Sequence, residues 1–472
     1  MIFTPRPFQK IIGDFVFDHE RCNVWAGMGM GKTSESISIF DALRMFGEAK
    51  RLLVIAPKRV AVGTWPNEIT KWRESFGHLT IAAAIGTPDQ RIAALRQRAD
   101  IVCINYDNLE WLIETVGIHW PWDMVVADEA TRLKGLRITL QTSKTGKEFI
   151  KGQGSVRAKA LAQVAFKKVR RWVNLTGSPA PNGIQDLWGQ QWFVDGGRRL
   201  GSSFTSFTNR WFRTVPGSDG YTRIEPLAFA QKQVEDAIRD CTITIEAKDW
   251  FDIKAPVERV ILVDLPAKAR AAYDDMESKL FAEIETHEVE VFNAAGRANK
   301  CLQIGSGTVI VDTETKQWVA IHDEKLDALK SIVAETNGAP LLVSYQFVSE
   351  RERILNAFPK ARTLDAPNAE NEFRAGKIPM LVVHAASAGH GLNLQDNCWI
   401  LVDFSTGWNL EYDEQVIERI GPTRQIQSGY ERVVFRYRII ARDTIEELSV
   451  LPRIKSKASV QDSLKTAMKL RT

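Results

Sequence analysis

The sequence is poor in the residues that would mark it as secreted, metal-binding or membrane-embedded. Its five cysteines, Cys22, Cys103, Cys241, Cys301 and Cys398, are odd in number, far apart, and never arranged as Cys-x-x-Cys. That argues against a disulfide framework and a zinc knuckle, and leaves reduced, mostly buried thiols. The histidines are as scattered, and His287-Glu288-Val289-Glu290 lacks the second histidine of a zinc-binding helix. No metal site made of protein ligands alone is expected. No run of about twenty apolar residues occurs, and Met1-Ile2-Phe3-Thr4-Pro5-Arg6 lacks the basic-then-apolar layout of a signal peptide. A cytoplasmic protein with no membrane contact is expected. Low-complexity tracts and short-period repeats are also missing.

With 472 residues and 44% hydrophobic content the chain can bury large cores, and its length favours two to three domains. A net charge of +4 is too small to announce a nucleic-acid binder by itself. Its distribution says more. From Arg132 to Arg171 twelve basic residues, among them Lys134, Arg137, Lys144, Lys147, Lys151 and Arg157, face a single acid, Glu148. Short apolar runs alternate with helical patterns at Leu52 to Ala56, Ile101 to Asn105, Met124 to Ala127 and Trp172 to Leu175. The alternation returns at Leu341 to Ser344, Met380 to His384 and Trp399 to Asp403. This is the mark of an α/β parallel sheet, given twice. The stretch between reads as helices, as in Ala267 to Ile284, followed by a β-hairpin of Thr308 to Val311 and Trp318 to Ile321.

Two clusters carry chemistry. Ala26-Gly27-Met28-Gly29-Met30-Gly31-Lys32-Thr33 follows the strand residues Val24-Trp25 and precedes an amphipathic helix with Ile39, Leu43 and Phe46 on one face. This strand-loop-helix setting is what a phosphate-binding loop needs. Glycines let backbone amides turn inward around phosphate oxygens while the helix N-terminus adds partial positive charge. Lys32 would neutralise the β and γ phosphates of ATP, and Thr33 would hold Mg²⁺. The second cluster, Asp128-Glu129-Ala130-Thr131, ends the apolar run Met124-Val125-Val126-Ala127 and so lies where α/β sheets place ligands. Asp128 would complete the Mg²⁺ shell, and Glu129 would orient and deprotonate the attacking water.

In their order along nearly the whole chain these features resemble the Swi/Snf family of helicase-like ATPases in superfamily two. Arg6-Pro7-Phe8-Gln9 resembles the family's adenine-reading glutamine motif, and Met28 to Thr33 its phosphate loop. Val54-Ile55-Ala56-Pro57, with Trp65 and Lys71-Trp72, is similar to the next motif, and Asp128 to Lys134 to the acid box. Leu175-Thr176-Gly177-Ser178-Pro179, with Asn182 and Asp186-Leu187-Trp188, resembles the segment coupling ATP state to the nucleic-acid site. Lys325-Leu326 resembles the start of the helix that opens the second lobe, and Ser387 to Leu394, with Gly389 and Gly391, the glycine loop. Trp408-Asn409, Asp413 and Gln415 resemble the final motif. The family pattern departs at the arginine finger: Arg419 holds the first place after Gln415, but Pro422 holds the second, with Arg424 nearby. Arg419 is taken as the first candidate and Arg424 as the second.

What the resemblance implies is an α/β protein of two RecA-like lobes in tandem with a helical insertion. The expected limits are 1–200 for the ATP-binding lobe, 201–320 for the insertion with its hairpin, 321–450 for the second lobe and 451–472 for a basic tail. It implies a monomeric motor of compact phage or bacterial type that hydrolyses ATP and translocates on DNA, most simply duplex DNA held through its phosphates. The matching positions are Lys58, Arg59, Asn105, Tyr106, Thr176, Ser178, Gln346, Ser387 and Trp408, with part of the basic run lining the duplex. Two other readings stay open: a strand-separating DNA or RNA helicase, and a nucleotide-gated DNA clamp with little hydrolysis.

Overall fold

Runs of Val, Ile and Leu that are apolar on both faces suit parallel strands covered by helices on either side, and the chain builds two such sheets. The computed structural model describes residues 1–27, 29–142, 148–216, 222–286, 291–312, 317–387 and 392–469. The first sheet has seven strands: β1 Arg21–Ala26, β2 Leu52–Ala56, β3 Ile81–Ala83, β4 Ile101–Asn105, β5 Met124–Asp128, β6 Arg171–Thr176 and β7 Thr242–Ile245. All pair in parallel, in the order β7-β1-β6-β5-β2-β4-β3. The register sets Trp25 beside Thr176 and Leu175 beside Asp128. The C-terminal ends of β1, β6 and β5 therefore lie side by side, with β6 in the middle.

The core of this unit is rich in large rings. Trp172, Trp188, Trp192 and Trp211 are almost fully buried, and Trp172 stacks on Phe193 with centroids 4.8 Å apart. Each ring removes on the order of 200 Å² from water, a gain of about 5 kcal/mol before the entropy of ordering it. All five cysteines are free and buried, and burial pushes the Cys22, Cys103 and Cys398 thiols up.

The second sheet has six parallel strands: β8 Val257–Val263, β9 Leu341–Tyr345, β10 Arg362–Thr363, β11 Met380–His384, β12 Ile400–Asp403 and β13 Phe435–Ala441. Their order is β8-β13-β12-β9-β11-β10. The expected helices and hairpin between the lobes are found at Ala267–Thr286, Val291–Gly305 and the pair Thr308–Asp312 and Gln317–Ala320. The same stretch also gives an edge strand to each sheet, β7 to the first and β8 to the second. The compact units consequently differ from the four segments read off the sequence. The first holds 1–213, 224–250 and 459–472, and the second holds 214–223 and 251–458. The stretch read as a basic tail is helical through Ala467, with Leu464 and Met468 buried in the first unit's core. Thr244 of β7 donates its amide to the Met468 carbonyl at 3.2 Å, and Lys469 pairs with Glu246 at 2.6 Å. Among the described residues, no helix is long and apolar enough to cross a membrane.

Lys325 opens the helix Glu324–Glu335 and is fully buried in the second unit. Its ammonium meets Glu446 at 2.7 Å and the Phe404 carbonyl at 3.2 Å, while Glu446 accepts the Thr406 amide at 2.8 Å. Removing one partner of such a pair strands the other charge. Glu446→Gln is expected to cost about 3–5 kcal/mol of unfolding free energy, read from urea titrations, and Lys325→Met in the same chain to recover part of that loss. An unchanged urea midpoint for Glu446→Gln would show that the pair carries no such role.

Candidate active site

The loop after β1 turns through Gly29 and Gly31, whose φ angles of +78° and +67° lie in the left-handed region. At Gly31 a side chain would be strained by that angle, and its Cβ would come within 2.3 Å of Gln9 Nε2. The helix α2, Lys32–Met45, starts immediately afterwards, so its free amides face the loop. Lys32 reaches back, its ammonium donating to the carbonyls of Ala26 at 2.5 Å and Gly27 at 2.9 Å. Thr33 is half-buried at the second position of α2. Gln9, expected to read adenine, lies on α1, Pro7–Asp18, and is buried. Its amide donates to the Gly31 carbonyl at 3.2 Å and Ser34 Oγ at 3.4 Å, bracing the loop. Met28 lies outside the described residues; Met30 is buried.

Asp128 ends β5 and is buried, its Oδ2 accepting the Trp65 indole N–H at 3.0 Å. Burial pushes its carboxyl up, opposed by the Trp65 hydrogen bond and by the Lys32 ammonium. The charge of Lys32 thus bears on Asp128, which brings the two sequence clusters together. A buried carboxylate whose desolvation is only partly offset suits a hard divalent cation. Among the described residues no cluster of three or more His, Cys, Asp or Glu side chains forms a metal site by itself. Glu129 is half-buried and left-handed, with φ +61° and ψ +56°. For a residue with a Cβ this costs about 1–3 kcal/mol and persists only where the surroundings hold it.

The coupling segment touches both clusters. A Cβ on Gly177 would meet the Ala26 carbonyl at 3.5 Å and Gly27 Cα at 3.7 Å. The Thr131 and Thr176 hydroxyls lie 3.0 Å apart, and Thr176 Oγ1 accepts the Ser178 amide at 3.1 Å. Asn182 donates twice to Asp186, at 2.9 and 3.0 Å, with Lys134 at 3.7 Å. Thr176 and Ser178, expected among the nucleic-acid contacts, are buried in this network. The Thr176 hydroxyl, together with the Ser178 amide and carbonyl, ties the coupling segment to Thr131 of the acid box.

The other expected nucleic-acid residues of this unit divide. Lys58 is exposed and Arg59 half-exposed after β2. Asn105 is buried within a turn, bonded to Asn108 at 2.5 Å and Asp107 at 3.4 Å. Tyr106 is 1% exposed, and its hydroxyl meets the carbonyls of Asp128 at 2.9 Å and Glu129 at 3.2 Å. Much of the basic run is engaged in structure. Arg171 is buried against the Val16 and Phe17 carbonyls, Arg170 pairs with Glu20 and Glu48, and Arg157 pairs with Asp107. Lys144 and Lys147 lie outside the described residues.

In the second unit Gln346 follows β9 half-buried, its backbone N–H donating to Glu350 at 2.8 Å, and Ser387 is exposed. Trp408 is half-buried, packed against the core. Gly389 and Gly391 lie outside the described residues. Gln415 is buried on helix α3, Leu410–Ile417, its amide donating to Glu411 at 3.3 Å. Both finger candidates lead to one short stretch. Arg419, 2% exposed, donates to the Leu392 carbonyl at 3.4 Å, and Arg424 donates to the Asn393 side chain. A cluster that sequence reasoning missed supports α3: Asp413 meets Arg436 at 2.6 Å and Arg438 at 2.7 Å, and Asp403 meets Arg436 at 2.6 Å. The two guanidiniums hold the Asp413 carboxyl down to about 2 against its burial. The available signal was spacing, since Arg436 and Arg438 share one face of a strand that is otherwise largely apolar.

Glu35 was also missed. It is buried on α2 against α1, where a Cβ on Gly13 would come within 2.5 Å of its Oε1. Burial first, then the charge of Asp14, push its carboxyl up to about 7 from 4.5. The folded chain therefore binds this proton more tightly than the unfolded chain, and the contribution to stability is full below pH 4.5 and lost as pH rises through 7. Glu35→Gln is expected to be more stable than wild type at pH 8 by about 3 kcal/mol relative to the same comparison at pH 4.5. Urea midpoints at the two pH values measure this; an equal difference at both would remove Glu35 from that role.

A family model described as SNF2-related domain matches residues 24–305. Putative protein p41 of Acyrthosiphon pisum secondary endosymbiont phage 1 is 48% identical over 472 residues, covering 99% of each chain. The putative ATP-dependent helicase/translocase YwqA of Bacillus subtilis (strain 168) is 22% identical over 98% of this chain, which spans 49% of YwqA's length. Among solved structures, the Sulfolobus solfataricus SWI2/SNF2 ATPase core in complex with dsDNA covers 100% of this chain, with 98% of its own length covered, at 18% identity and a TM-score of 0.44. The family model spans more than half of the chain and the phage relative its full length, so this protein belongs to the SNF2-related family of helicase-like ATPases.

Proposed function

We propose that the chain is an ATP-driven motor that translocates along double-stranded DNA without necessarily parting the strands. The observation that carries this is the Lys32 charge acting on the buried Asp128, with Glu129 next to it in the chain, at the C-terminal ends of β1 and β5, and with the Thr176 hydroxyl on the strand between them bonded to Thr131. Membership of the family supports hydrolysis, and YwqA's description as a helicase/translocase supports the motor reading.

In this reading the loop amides and Lys32 take the β and γ phosphates, with Lys32 exchanging the Ala26 and Gly27 carbonyls for phosphate oxygens. Thr33 and Asp128 would hold a magnesium ion, which when bound neutralises charge on the transferring phosphoryl group. Glu129 orients the attacking water and accepts its proton. Arg419 is the first proposed finger and Arg424 the second. Lys58, Arg59 and the Asn105 turn in the first unit, and Gln346 and Ser387 in the second, are the proposed DNA-contacting positions. Contacts of this kind grip phosphates and carry little sequence information.

Turnover should be measured against single-stranded DNA, duplex DNA and RNA in parallel. Stimulation by duplex with no displaced strand is the expected result; strand displacement would favour a helicase, and negligible turnover a clamp. Lys32→Ala is expected to abolish hydrolysis. Glu129→Gln is expected to bind a fluorescent ATP analogue normally while turnover falls by about 10²–10⁴, and retained hydrolysis would remove Glu129 from the base's role. Duplex affinity should fall with salt at a slope of about −0.9 per neutralised phosphate; a flat dependence would argue against phosphate-dominated binding.

A further inference from the structure

Glu129 needs something to hold it. Its left-handed backbone is set by the relative orientation of the two peptide planes on either side of its Cα, and those planes carry the carbonyls of Asp128 and Glu129. The Tyr106 hydroxyl lies 2.9 Å from the first oxygen and 3.2 Å from the second. One proton shared between them ties both planes to a single point and so fixes the φ and ψ that aim the Glu129 side chain. The ring is almost fully buried, which keeps water from competing for those carbonyls.

Tyr106 is also the first residue of the 3₁₀ turn Tyr106–Asn108 at the end of β4. The turn is cross-braced. Asn108 donates to Asn105 and accepts from Arg91 at 2.7 Å, while Asp107 accepts from Arg157 at 2.8 Å. These bonds link the backbone that carries the tyrosine to groups that reach solvent, Asp107 among them. We propose that Tyr106 is a positioning residue through which nucleic acid engaging the 105–108 turn sets the geometry of Glu129, and hence the rate of hydrolysis. The proposal rests on the DNA-motor reading above and adds the route by which DNA would stimulate turnover.

The test compares ATPase turnover with and without a blunt duplex oligonucleotide, duplex affinity by fluorescence anisotropy, and melting temperature, for wild type, Tyr106→Phe and Asp107→Ala. Tyr106→Phe keeps the ring and removes the hydroxyl. Its duplex-stimulated kcat is expected to fall about tenfold, equivalent to roughly 1.4 kcal/mol, with the ratio of stimulated to basal turnover approaching one. KM for ATP and duplex affinity should stay within about twofold of wild type, a split that a general loss of structure would not give. Asp107→Ala, at a side chain 70% exposed, frees Arg157 and loosens the turn from outside. It should lower the same ratio with KM for ATP unchanged. A wild-type ratio retained by Tyr106→Phe overturns the coupling and leaves the motor reading intact. If Tyr106→Phe does not fold, full stimulation in Asp107→Ala overturns it instead. Wild type that hydrolyses ATP but ignores duplex DNA ends the DNA reading and this coupling with it.

Discussion

A carboxylate driven out of water must be answered by nearby positive charge or donors, and Asp128 sets that demand for the first unit. It sits at the buried end of a central strand, where desolvation works against its ionisation. The Trp65 indole and the Lys32 ammonium meet part of the cost. To do so, the segment after β2 must bring the Trp65 indole to the end of β5, and the phosphate loop must end with its lysine folded back over the end of β1. The sheet order serves the same end, since placing β6 between β1 and β5 inserts the Thr176 hydroxyl of the coupling segment between the two halves of the site. The phosphate-loop lysine, the Trp65 indole and the coupling segment are thus arranged around one buried negative charge.

The second unit solves a similar problem with more charges. Asp403 and Asp413 face Arg436 and Arg438, all four largely buried, with Glu258 further away at 3.8 Å from each arginine. Replacing such a group by apolar side chains is often neutral for stability. What a salt-bridged cluster supplies here is direction, because it fixes helix α3 against β12 and β13. That helix carries Gln415 and leads into Arg419. Its rigidity sets where the final motif's polar groups can go.

Much of this was legible in the sequence because it was local. The phosphate loop declares itself through consecutive glycines and a lysine-threonine pair, and the parallel strands through unbroken apolar runs such as Leu52 to Ala56. Less legible was whatever depended on partners far away in the chain. Thr242–Ile245 and Val257–Val263 are ordinary short strands, and only the sheets reveal that one belongs to each. Tyr106, Thr176 and Ser178 follow strand ends, where exposed polar residues are common, so a family pattern suggested a nucleic-acid contact. Their burial came from long-range packing with Asp128, Glu129 and Thr131, 22 to 47 positions apart in sequence. The docking of the terminal basic stretch was hidden for the same reason, since Leu464 and Met468 find their core only after folding.

The sealed thiols have a practical side. Cysteine reagents act on exposed thiolate, and here every cysteine is enclosed, with burial raising the pKa of several thiols. A single cysteine introduced on an exposed position could take a fluorophore against a silent background. The native chain would need no prior cysteine stripping, and single molecules of it could be followed by light.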